Sequence, residues 1–271
     1  MSGTQKKTMM RTALLFAAML LALVVSSGVA LAVTKSCEAE VICFGTKRAD
    51  TLNGNEGRNP MFGKGRGDTL NGFAQTDYLY GESGRDKLFG GPDNDELSGG
   101  SGNDALSGGE GLDNYYFGPS WGKDTITDSG SSDVILLFDY PRNSGPVLVS
   151  ENLTIKLASG DGPEVSNASG TTTINWEGDF INDVYPGSGD DQITGNIYSN
   201  EIYAAYAKSQ FGVAAGADNI STGRGDDYIE VNDGVGDDVV DCGETSNVTD
   251  DDLVLSDIGD QIADNCERIQ H

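Results

Sequence analysis

Gly99-Gly-Ser-Gly-Asn-Asp-Ala-Leu-Ser107 is the clearest copy of a nine-residue unit that repeats without interruption from Gly45 to Tyr116. A glycine begins each of the eight units: Gly45, Gly54, Gly63, Gly72, Gly81, Gly90, Gly99 and Gly108. The sixth places are Asp50, Asn59, Asp68, Asp77, Asp86, Asp95, Asp104 and Asp113, and the eighth are Leu52, Met61, Leu70, Leu79, Leu88, Leu97, Leu106 and Tyr115. A flexible Gly/Asp linker has no reason to keep leucine in phase, so this period predicts a repeat architecture.

The unit resembles the RTX (hemolysin-type) calcium-binding nonapeptide, Gly-Gly-x-Gly-x-Asp-x-apolar-x. The resemblance implies that the first six places form a turn and the last three a short strand that points its apolar residue inward. Two units would complete one coil, with the units at Gly45, Gly63, Gly81 and Gly99 on one edge and the alternate units on the other. We therefore expect an all-β protein, a parallel β-roll or β-solenoid, with two arrays of repeats joined by a β-strand connector.

Calcium prefers six to eight oxygen ligands from carboxylates and carbonyls. The resemblance places several Ca²⁺ ions between neighbouring turns on the same edge. Glycine takes positive φ angles without steric cost, which lets a turn aim carbonyl oxygens inward. The expected ligands are Asp68, Asp77, Asp86, Asp95, Asp104 and Asp113, with Gly91, Gly100, Gly102, Gly109 and Gly111, and Asp191 and Asp227 in the second array.

Several units depart from the consensus. Asn59 replaces the aspartate, and Arg48, Arg66, Gln75 and Asp93 stand where the family prefers glycine at the fourth place. The inner glycines are best preserved in the units that contain Asp86, Asp95, Asp104 and Asp113. Asp50 and Asn59 are therefore not among the expected ligands.

The energetics predict that the first array needs its metal. Each unit buries roughly one large apolar side chain, about 1.5–3 kcal/mol, whereas ordering the backbone costs about 1–2 kcal/mol per residue. Stacked carboxylates add repulsion. We expect the roll to be disordered or weakly folded without calcium.

Beyond Tyr116 the period slips by two residues and then changes character. Asp124-Thr-Ile126 and Asp133-Val-Ile135 keep the Asp-x-apolar signature, and Pro119-Ser-Trp121 suggests an irregular coil. Branched and aromatic runs at 134–138, 147–149, 153–157 and 171–176 predict strands. Only residues 201–208 leave helix and strand undecided.

A second, weaker array follows the connector. Its sixth places are Asp191, Asn200, Ser209, Asp218 and Asp227, its eighth are Ile193, Ile202, Phe211, Ile220 and Ile229, and a further turn ends at Asp238. The alternative for this array is a β-helix that binds no calcium and is held by its isoleucines. The tail, from Asp241-Cys242 to Cys266-Glu-Arg-Ile269, resembles that of actinobacterial-type RTX proteins.

The expected layout has six parts: a signal peptide (1–32), an N-terminal Cys cap (33–44), the RTX β-roll (45–138), the connector (139–180), the second roll (181–241) and a C-terminal Cys cap (242–271). Lys6, Lys7 and Arg11 precede an apolar run that ends in Ala30-Leu-Ala32, as in a cleavable secretory signal. This predicts a secreted, extracellular protein. The alternative is an uncleaved anchor, which would be the only contact with a membrane.

Four cysteines, Cys37, Cys43, Cys242 and Cys266, allow three disulfide connectivities. Pairing of neighbours, Cys37 with Cys43 and Cys242 with Cys266, is favoured because each pair lies just outside the repeats, where an open-ended solenoid needs a cap. A zinc site is disfavoured, since there is no Cys-x-x-Cys and the one histidine is the terminal His271.

A net charge of −26 and a pI near 4.1 exclude nucleic acid as a partner. No His-Glu-x-x-His or Ser-His-Asp arrangement is present, so no enzyme is expected, although residues 139–180 leave this open. The sequence favours a structural or adhesive calcium-binding protein with a cell-surface or glycan partner. The alternatives are a polysaccharide-acting β-helix enzyme and an ice- or mineral-surface binder.

Overall fold

The computed structural model describes residues 32–129, 133–139, 147–150, 152–156, 165–167, 173–176, 181–196, 198–205, 216–243 and 251–271. The ordered structure of these residues consists of strands and turns. They include no helix long and apolar enough to cross a membrane. The predicted signal segment lies outside the described residues, apart from Ala32.

Most strands are short and follow one another at the spacing of the repeat. In chain order they are β1 (Thr34–Ser36), β2 (Cys43–Phe44), β3 (Thr51–Asn55), β4 (Pro60–Gly65), β5 (Thr69–Phe73), β6 (Tyr78–Gly84), β7 (Lys87–Pro92), β8 (Glu96–Ser98), β9 (Ser101–Gly102), β10 (Ala105–Glu110), β11 (Asn114–Tyr116), β12 (Lys123–Ile126), β13 (Asp133–Leu136), β14 (Phe138–Asp139), β15 (Val147–Leu148), β16 (Leu153–Lys156), β17 (Val165–Asn167), β18 (Thr173–Trp176), β19 (Ile181–Tyr185), β20 (Gln192–Thr194), β21 (Glu201–Tyr203), β22 (Asn219–Ser221), β23 (Tyr228–Glu230), β24 (Val239–Asp241), β25 (Leu253–Leu255), β26 (Gln261–Ile262) and β27 (Arg268–Gln270).

Two long sheets hold nearly all of these strands. Sheet A runs in the order β1-β3-β5-β7-β10-β12-β18-β17-β16-β20-β22-β24-β26. Sheet B runs β2-β4-β6-β8-β11-β13-β19-β21-β23-β25-β27, with β9 also paired to β6. Most neighbouring strands are parallel and come from successive coils, so the chain winds as a β-solenoid and the predicted fold class is confirmed.

The eighth-place apolar residues build the core. On sheet A, Leu52 aligns with Leu70, Leu70 with Leu88, and Leu88 with Leu106. On sheet B, Met61, Leu79, Leu97 and Tyr115 form the matching column. All eight side chains are buried. Successive side chains in a strand point to opposite faces, so each repeat contributes one large side chain to the space between the sheets.

The two-residue slip after Tyr116 leaves the stacking intact. Leu106 of β10 aligns with Ile126 of β12, twenty residues on, instead of eighteen. Trp121 is buried within the irregular coil and meets Phe117 edge-on, with ring centroids 6.2 Å apart. The extra residues are therefore absorbed in a turn that adds a large aromatic side chain to the core.

The connector is built into sheet A. Strands β16, β17 and β18 form an antiparallel meander whose last strand pairs with β12 and whose first pairs with β20. Ile155, Val165 and Ile174 are buried and continue the core column. In sheet B, β19 pairs directly with both β13 and β21, so the described strands of both arrays belong to the same two sheets.

The second array keeps the stacking but changes the length of the coil. Ile193 aligns with Ile220 and Ile202 with Ile229, each twenty-seven residues apart, although the next coil on sheet A, from Ile220 to Val240, spans twenty. The undecided run at 201–208 begins as strand β21. Ser209 and Phe211 lie outside the described residues.

Disulfides join Cys37 to Cys43 beside β1 and β2, and Cys242 to Cys266 near the last strands. The expected pairing of neighbours is therefore confirmed. Each bond lies at one end of the solenoid, where the last coil has a neighbour on only one side.

Candidate metal centres

Backbone hydrogen bonds link the sixth-place residues of successive coils into two columns, which we call the aspartate ladders. In each step, the N–H of one sixth-place residue donates to Oδ1 of the aspartate one coil further on. On one edge the steps are Asp50 to Asp68 (2.6 Å), Asp68 to Asp86 (2.6 Å), Asp86 to Asp104 (2.7 Å) and Asp104 to Asp124 (2.8 Å). On the other they are Asn59 to Asp77, Asp77 to Asp95 and Asp95 to Asp113 (2.7 Å each), then Asp113 to Asp133 (2.9 Å).

The ladders resume beyond the connector. The N–H of Leu153 donates to Asp191 Oδ1 at 2.8 Å, and the column continues from Asp191 to Asp218 and from Asp218 to Asp238. The second column runs from Asn200 to Asp227 (2.8 Å) and from Asp227 to Asp252 (2.9 Å). The aspartates thus stay aligned although the coils differ in length.

The other carboxylate oxygen, Oδ2, has no such bond in eight ladder aspartates. These are Asp68, Asp77, Asp86, Asp95, Asp104, Asp113, Asp133 and Asp191, all buried, and their Oδ2 atoms lack a hydrogen-bond partner among the described residues. The described part of the chain has one salt bridge, Arg268 to Asp251, and it lies outside the ladders. A buried charged oxygen without a partner is costly, so these oxygens need a cation or a proton.

Beside four of these oxygens, a first-place glycine without a Cβ also faces a carbonyl oxygen of the next coil; they belong to Asp68, Asp77, Asp86 and Asp95. At Gly81, the position that a Cβ would take lies 2.5 Å from Asp86 Oδ2 and 2.6 Å from the carbonyl oxygen of Gly99, one coil on. At Gly63, the same position lies 2.5 Å from Asp68 Oδ2 and 2.9 Å from the Gly81 carbonyl oxygen. A first-place glycine therefore leaves open a cradle on which oxygens from two coils converge. This donor set, carboxylate and carbonyl oxygen, is the one that calcium prefers, so the residues fit the metal.

Burial raises the pKa of the ladder carboxyl groups well above their usual range. The pKa rises to about 6 for Asp68, Asp104 and Asp113, about 7 for Asp77, Asp86 and Asp218, about 8 for Asp95, Asp124, Asp133 and Asp238, and about 9 for Asp191. Loss of hydration is the largest cause throughout, and neighbouring carboxylates add to it for most of the groups. A bound cation would supply the positive charge that keeps these groups ionised.

The expected glycine ligands have the conformation that the turn requires. The φ angles are 129° at Gly91, 88° at Gly100, 152° at Gly102, 119° at Gly109 and 144° at Gly111. A Cβ at Gly100 would collide with the carbonyl oxygen of Glu82 in the preceding coil, and one at Gly102 with that of Gly84. These glycines therefore serve both the turn and the close stacking of coils.

Non-glycine residues also have positive φ angles at these places. Second-place Lys64, Phe73 and Glu82 have φ angles of 86°, 88° and 72°, and fourth-place Arg66, Gln75 and Asp93 have 67°, 63° and 76°. The departures from glycine therefore do not break the turn. Asp77, whose unit lacks the inner glycines, has the same ladder bond and the same unbonded Oδ2 as Asp86.

In three turns, the second-place residue donates its N–H to an oxygen of the sixth-place side chain. Asp50 Oδ2 accepts hydrogen bonds from the N–H (2.5 Å) and the hydroxyl (2.8 Å) of Thr46. Asn59 Oδ1 accepts the N–H of Asn55 at 2.8 Å, and Asn200 Oδ1 accepts that of Asn196 at 3.0 Å. None of these second-place residues has a positive φ. We call these the closed turns, and we call the six turns that end at Asp68, Asp77, Asp86, Asp95, Asp104 and Asp113 the open turns.

Of the two expected ligands in the second array, Asp191 is a ladder residue with an unbonded Oδ2, and Asp227 accepts the N–H of Asn200. Apart from Asp50, these ladder steps contain five aspartates that were not among the expected ligands: Asp124, Asp133, Asp218, Asp238 and Asp252. Each is followed two residues later by a buried Ile or Val, so the Asp-x-apolar signature was the available signal.

Comparison with known proteins agrees with this geometry. A family model described as the RTX calcium-binding nonapeptide repeat, in four copies, matches residues 53–88, 80–115 and 185–205. The matched residues include the turns of Asp68 to Asp113 and that of Asp191. A search of curated proteins finds no match.

Proposed function

We propose that this RTX-repeat protein, whose β-roll binds calcium, is a secreted structural or adhesive protein whose solenoid folds when Ca²⁺ occupies its turns. Membership of the RTX repeat proteins and calcium binding by the roll rest on the matched repeats and the solenoid. The coupling to folding, the exterior location and the role are the proposal. Its partner there would be a cell surface or a glycan.

The observation that carries the proposal is the row of buried, unbonded carboxylate oxygens. Each of the six open turns holds one such oxygen, and this oxygen lies close to the position that a Cβ would take on the first-place glycine of the turn. In the absence of metal, the chain must bury either protons or uncompensated charges at these places. Binding to the folded state alone stabilises that state by mass action.

The thin core strengthens the argument. Each repeat buries one large apolar side chain, whereas its turn places an acid in the interior. Metal binding can then be the free energy that decides between folded and unfolded chains.

Two observations support an exterior location. The residues 1–32 have the pattern of a secretory signal, and the two disulfides are typical of oxidising compartments. Extracellular calcium modules also work with weak sites, about 10⁻⁴–10⁻³ M, where free calcium is abundant.

Among the described residues, no observation favours catalysis or binding to an ice or mineral surface as a second function. The connector at 139–180, to which the polysaccharide-acting alternative refers, is described only in parts. The Thr171–Thr173 run of the ice-binding alternative is described at Thr173 alone.

The test is a calcium titration of the mature chain followed by calorimetry and far-UV circular dichroism. We expect the β signal to appear together with the binding heat and to disappear in excess chelator. Magnesium at the same concentration is the control, because its preference for rigid octahedral geometry and retained water should prevent it from replacing calcium. An unchanged spectrum in chelator, with full binding of calcium, would refute coupled folding.

A further inference from the structure

A third carboxylate enters the ladder where the first array ends. Asp128 stands five residues before Asp133, at the place where each of the eight units carries its first glycine. One carboxylate oxygen each from Asp113, Asp128 and Asp133 lies within 4.8 Å of the other two. Three acids therefore converge where the ordinary turn offers one side chain and a glycine.

Two of the three acids are buried and incompletely bonded. Asp113 and Asp133 are both 0% exposed, and Oδ2 of each has no hydrogen-bond partner among the described residues. The N–H of Asp113 already donates to Oδ1 of Asp133 at 2.9 Å. The cluster therefore contains two buried carboxylate oxygens without a hydrogen bond. In an ordinary group of surface acids, the carboxylate oxygens are exposed to water.

The third acid is held in position by the neighbouring turn. Asp128 Oδ1 accepts the N–H of Gly109 (2.9 Å) and that of Ser129 (2.6 Å), and Oδ2 accepts the hydroxyl of Tyr115. The Tyr115 oxygen in turn accepts the N–H of Gly108 at 2.8 Å. Tyr115 occupies the core place that leucine or methionine fills in the other seven units, and its hydroxyl explains the difference because leucine could not orient Asp128.

We propose that Asp113, Asp128 and Asp133 form a calcium site with three carboxylates, which closes the first array and binds its ion more tightly than the other five open turns do. The proposal rests on the proposed function, since it assumes that the ladders take calcium. It goes further by assigning Asp128, which lies outside the residues matched by the repeat model, as a ligand. More carboxylate ligands raise calcium affinity in oxygen sites, which is the reason for the expected order.

An aspartate also replaces the first-place glycine in the second array. Asp233 stands five residues before Asp238, and one oxygen each from Asp233, Asp237 and Asp238 lies within 4.8 Å of the others. The two three-acid clusters found among the described residues are thus both built around an aspartate at the first place.

The first test compares Asp128→Asn with Glu110→Gln in the full chain by calcium calorimetry. Glu110 is exposed on the preceding turn, so its substitution removes the same charge without touching the cluster. We expect Asp128→Asn to weaken the tightest ion at least tenfold while the weaker ions bind as before, and Glu110→Gln to change little. Wild-type protein without calcium binding would refute the proposed function. Normal wild-type binding with an unchanged Asp128→Asn titration would refute this site alone.

A second test does not depend on that variant. Terbium replaces calcium and emits when a nearby tyrosine is excited, and Tyr115 contacts Asp128 directly. The first equivalent of terbium should emit strongly in the wild type and in Tyr80→Phe, because the Tyr80 ring stacks on Phe62 and stands nearly three coils before Asp128 in the chain. The same equivalent should lose most of its emission in Tyr115→Phe. Equal emission from all three proteins would show that the tightest ion binds elsewhere.

Discussion

The closed turns and the open turns occupy equivalent places in one solenoid but satisfy their buried oxygens differently. In the closed turns, Thr46, Asn55 and Asn196 donate their N–H groups to the sixth-place side chain. In the open turns, the second-place residue has a positive φ and the carboxylate Oδ2 is left for a cation. One dihedral angle thus separates a turn whose sixth-place oxygen is bonded within the turn from a turn whose Oδ2 stays unbonded.

Asparagine at the sixth place fits this division. A neutral amide is less costly to bury than a carboxylate group, which needs a cation or a proton. Asn59 and Asn200 are both in closed turns. Asp50 is the exception, because it is an aspartate in a closed turn. Its Oδ2 accepts hydrogen bonds from both the N–H and the hydroxyl of Thr46.

Removal of calcium should separate the two regions most strongly. In chelator, we expect the amides of residues 63–116 to lose on the order of 100-fold or more in hydrogen-exchange protection. This is the factor for a site whose Kd is about 100 times lower than the free calcium concentration before chelation. Residues 45–62, which contain two closed turns and adjoin the Cys37–Cys43 disulfide, should lose less. Hydrogen exchange with mass spectrometry measures both regions in one sample. Equal losses would break the comparison.

Glycine substitutions should test the geometry of the open turn. Gly100→Ala places a Cβ against the Glu82 carbonyl oxygen at a φ of 88°, so we expect at least about 2 kcal/mol of destabilisation. Gly65→Ala is the matched control, since its φ is not positive and its Cβ would lie 3.5 Å from Ser83 Oγ, an ordinary contact. Urea unfolding in saturating calcium measures both. Similar effects would mean that the second-place conformation does not matter.

Aspartate substitutions should distinguish the two kinds of turn by ion number. Asp77→Asn keeps the bond from the Asn59 N–H but loses charge on the unbonded oxygen, so calcium at that turn should weaken at least about tenfold. Asp50→Asn puts an amide NH₂ against either the Val33 or the Thr46 N–H, so it should cost stability of about 1–2 kcal/mol. It should nevertheless leave the number of bound ions unchanged in calorimetry. A lost ion in Asp50→Asn would show that closed turns also bind calcium.

A change of pH should alter both the stability of the metal-free fold and its affinity for calcium, by less than the changes predicted above. Burial raises the pKa of Asp86 from 3.8 to about 7 and that of Asp95 to about 8, so the metal-free fold holds protons that the unfolded chain releases. The stability that these groups contribute is full below about pH 4 and is lost as the pH rises through 7 to 8. Calcium must displace these protons, so its affinity should rise with pH, by up to about tenfold per unit for each proton released.

Calorimetry near pH 7 in buffers of different ionisation enthalpy measures the protons released on calcium binding. We expect net release in the wild type and less in Asp86→Asn. Binding without proton release would show that the ladder carboxyl groups are already ionised before the metal arrives.

The period predicted which residues occupy equivalent places in successive coils of the first array. Asp86, Asp95, Asp104 and Asp113 lie in the ladder as the period requires. Asp77 lies in the ladder with them although its unit lacks the inner glycines, because Phe73 and Gln75 adopt positive φ angles that their own residue types disfavour and the neighbouring coils impose. The sequence could not identify the closed turns. Thr46 and Phe73 are both the second residue of their units, and the sign of φ that separates their turns is not evident from residue type.

The second array shows the same limit. Nine-residue spacing predicts Ser209 as a sixth-place residue of this array. The ladder bonds instead join Asn200 to Asp227 and Asp191 to Asp218, each twenty-seven residues apart. Surface turns tolerate added residues at little entropic cost, so spacing along the chain does not determine which coils stack. The buried isoleucines and the aligned aspartates decide the register.

The sequence by itself determined the solenoid, its two columns of apolar side chains and its two edges of acids, because a strict nine-residue period carries the eighth residue of each unit inward and the sixth into a turn. The tertiary structure alone decided which oxygens remain unbonded and where a third acid joins them. Those outcomes depend on backbone angles and on contacts between coils eighteen to twenty-seven residues apart, and local residue type does not specify either.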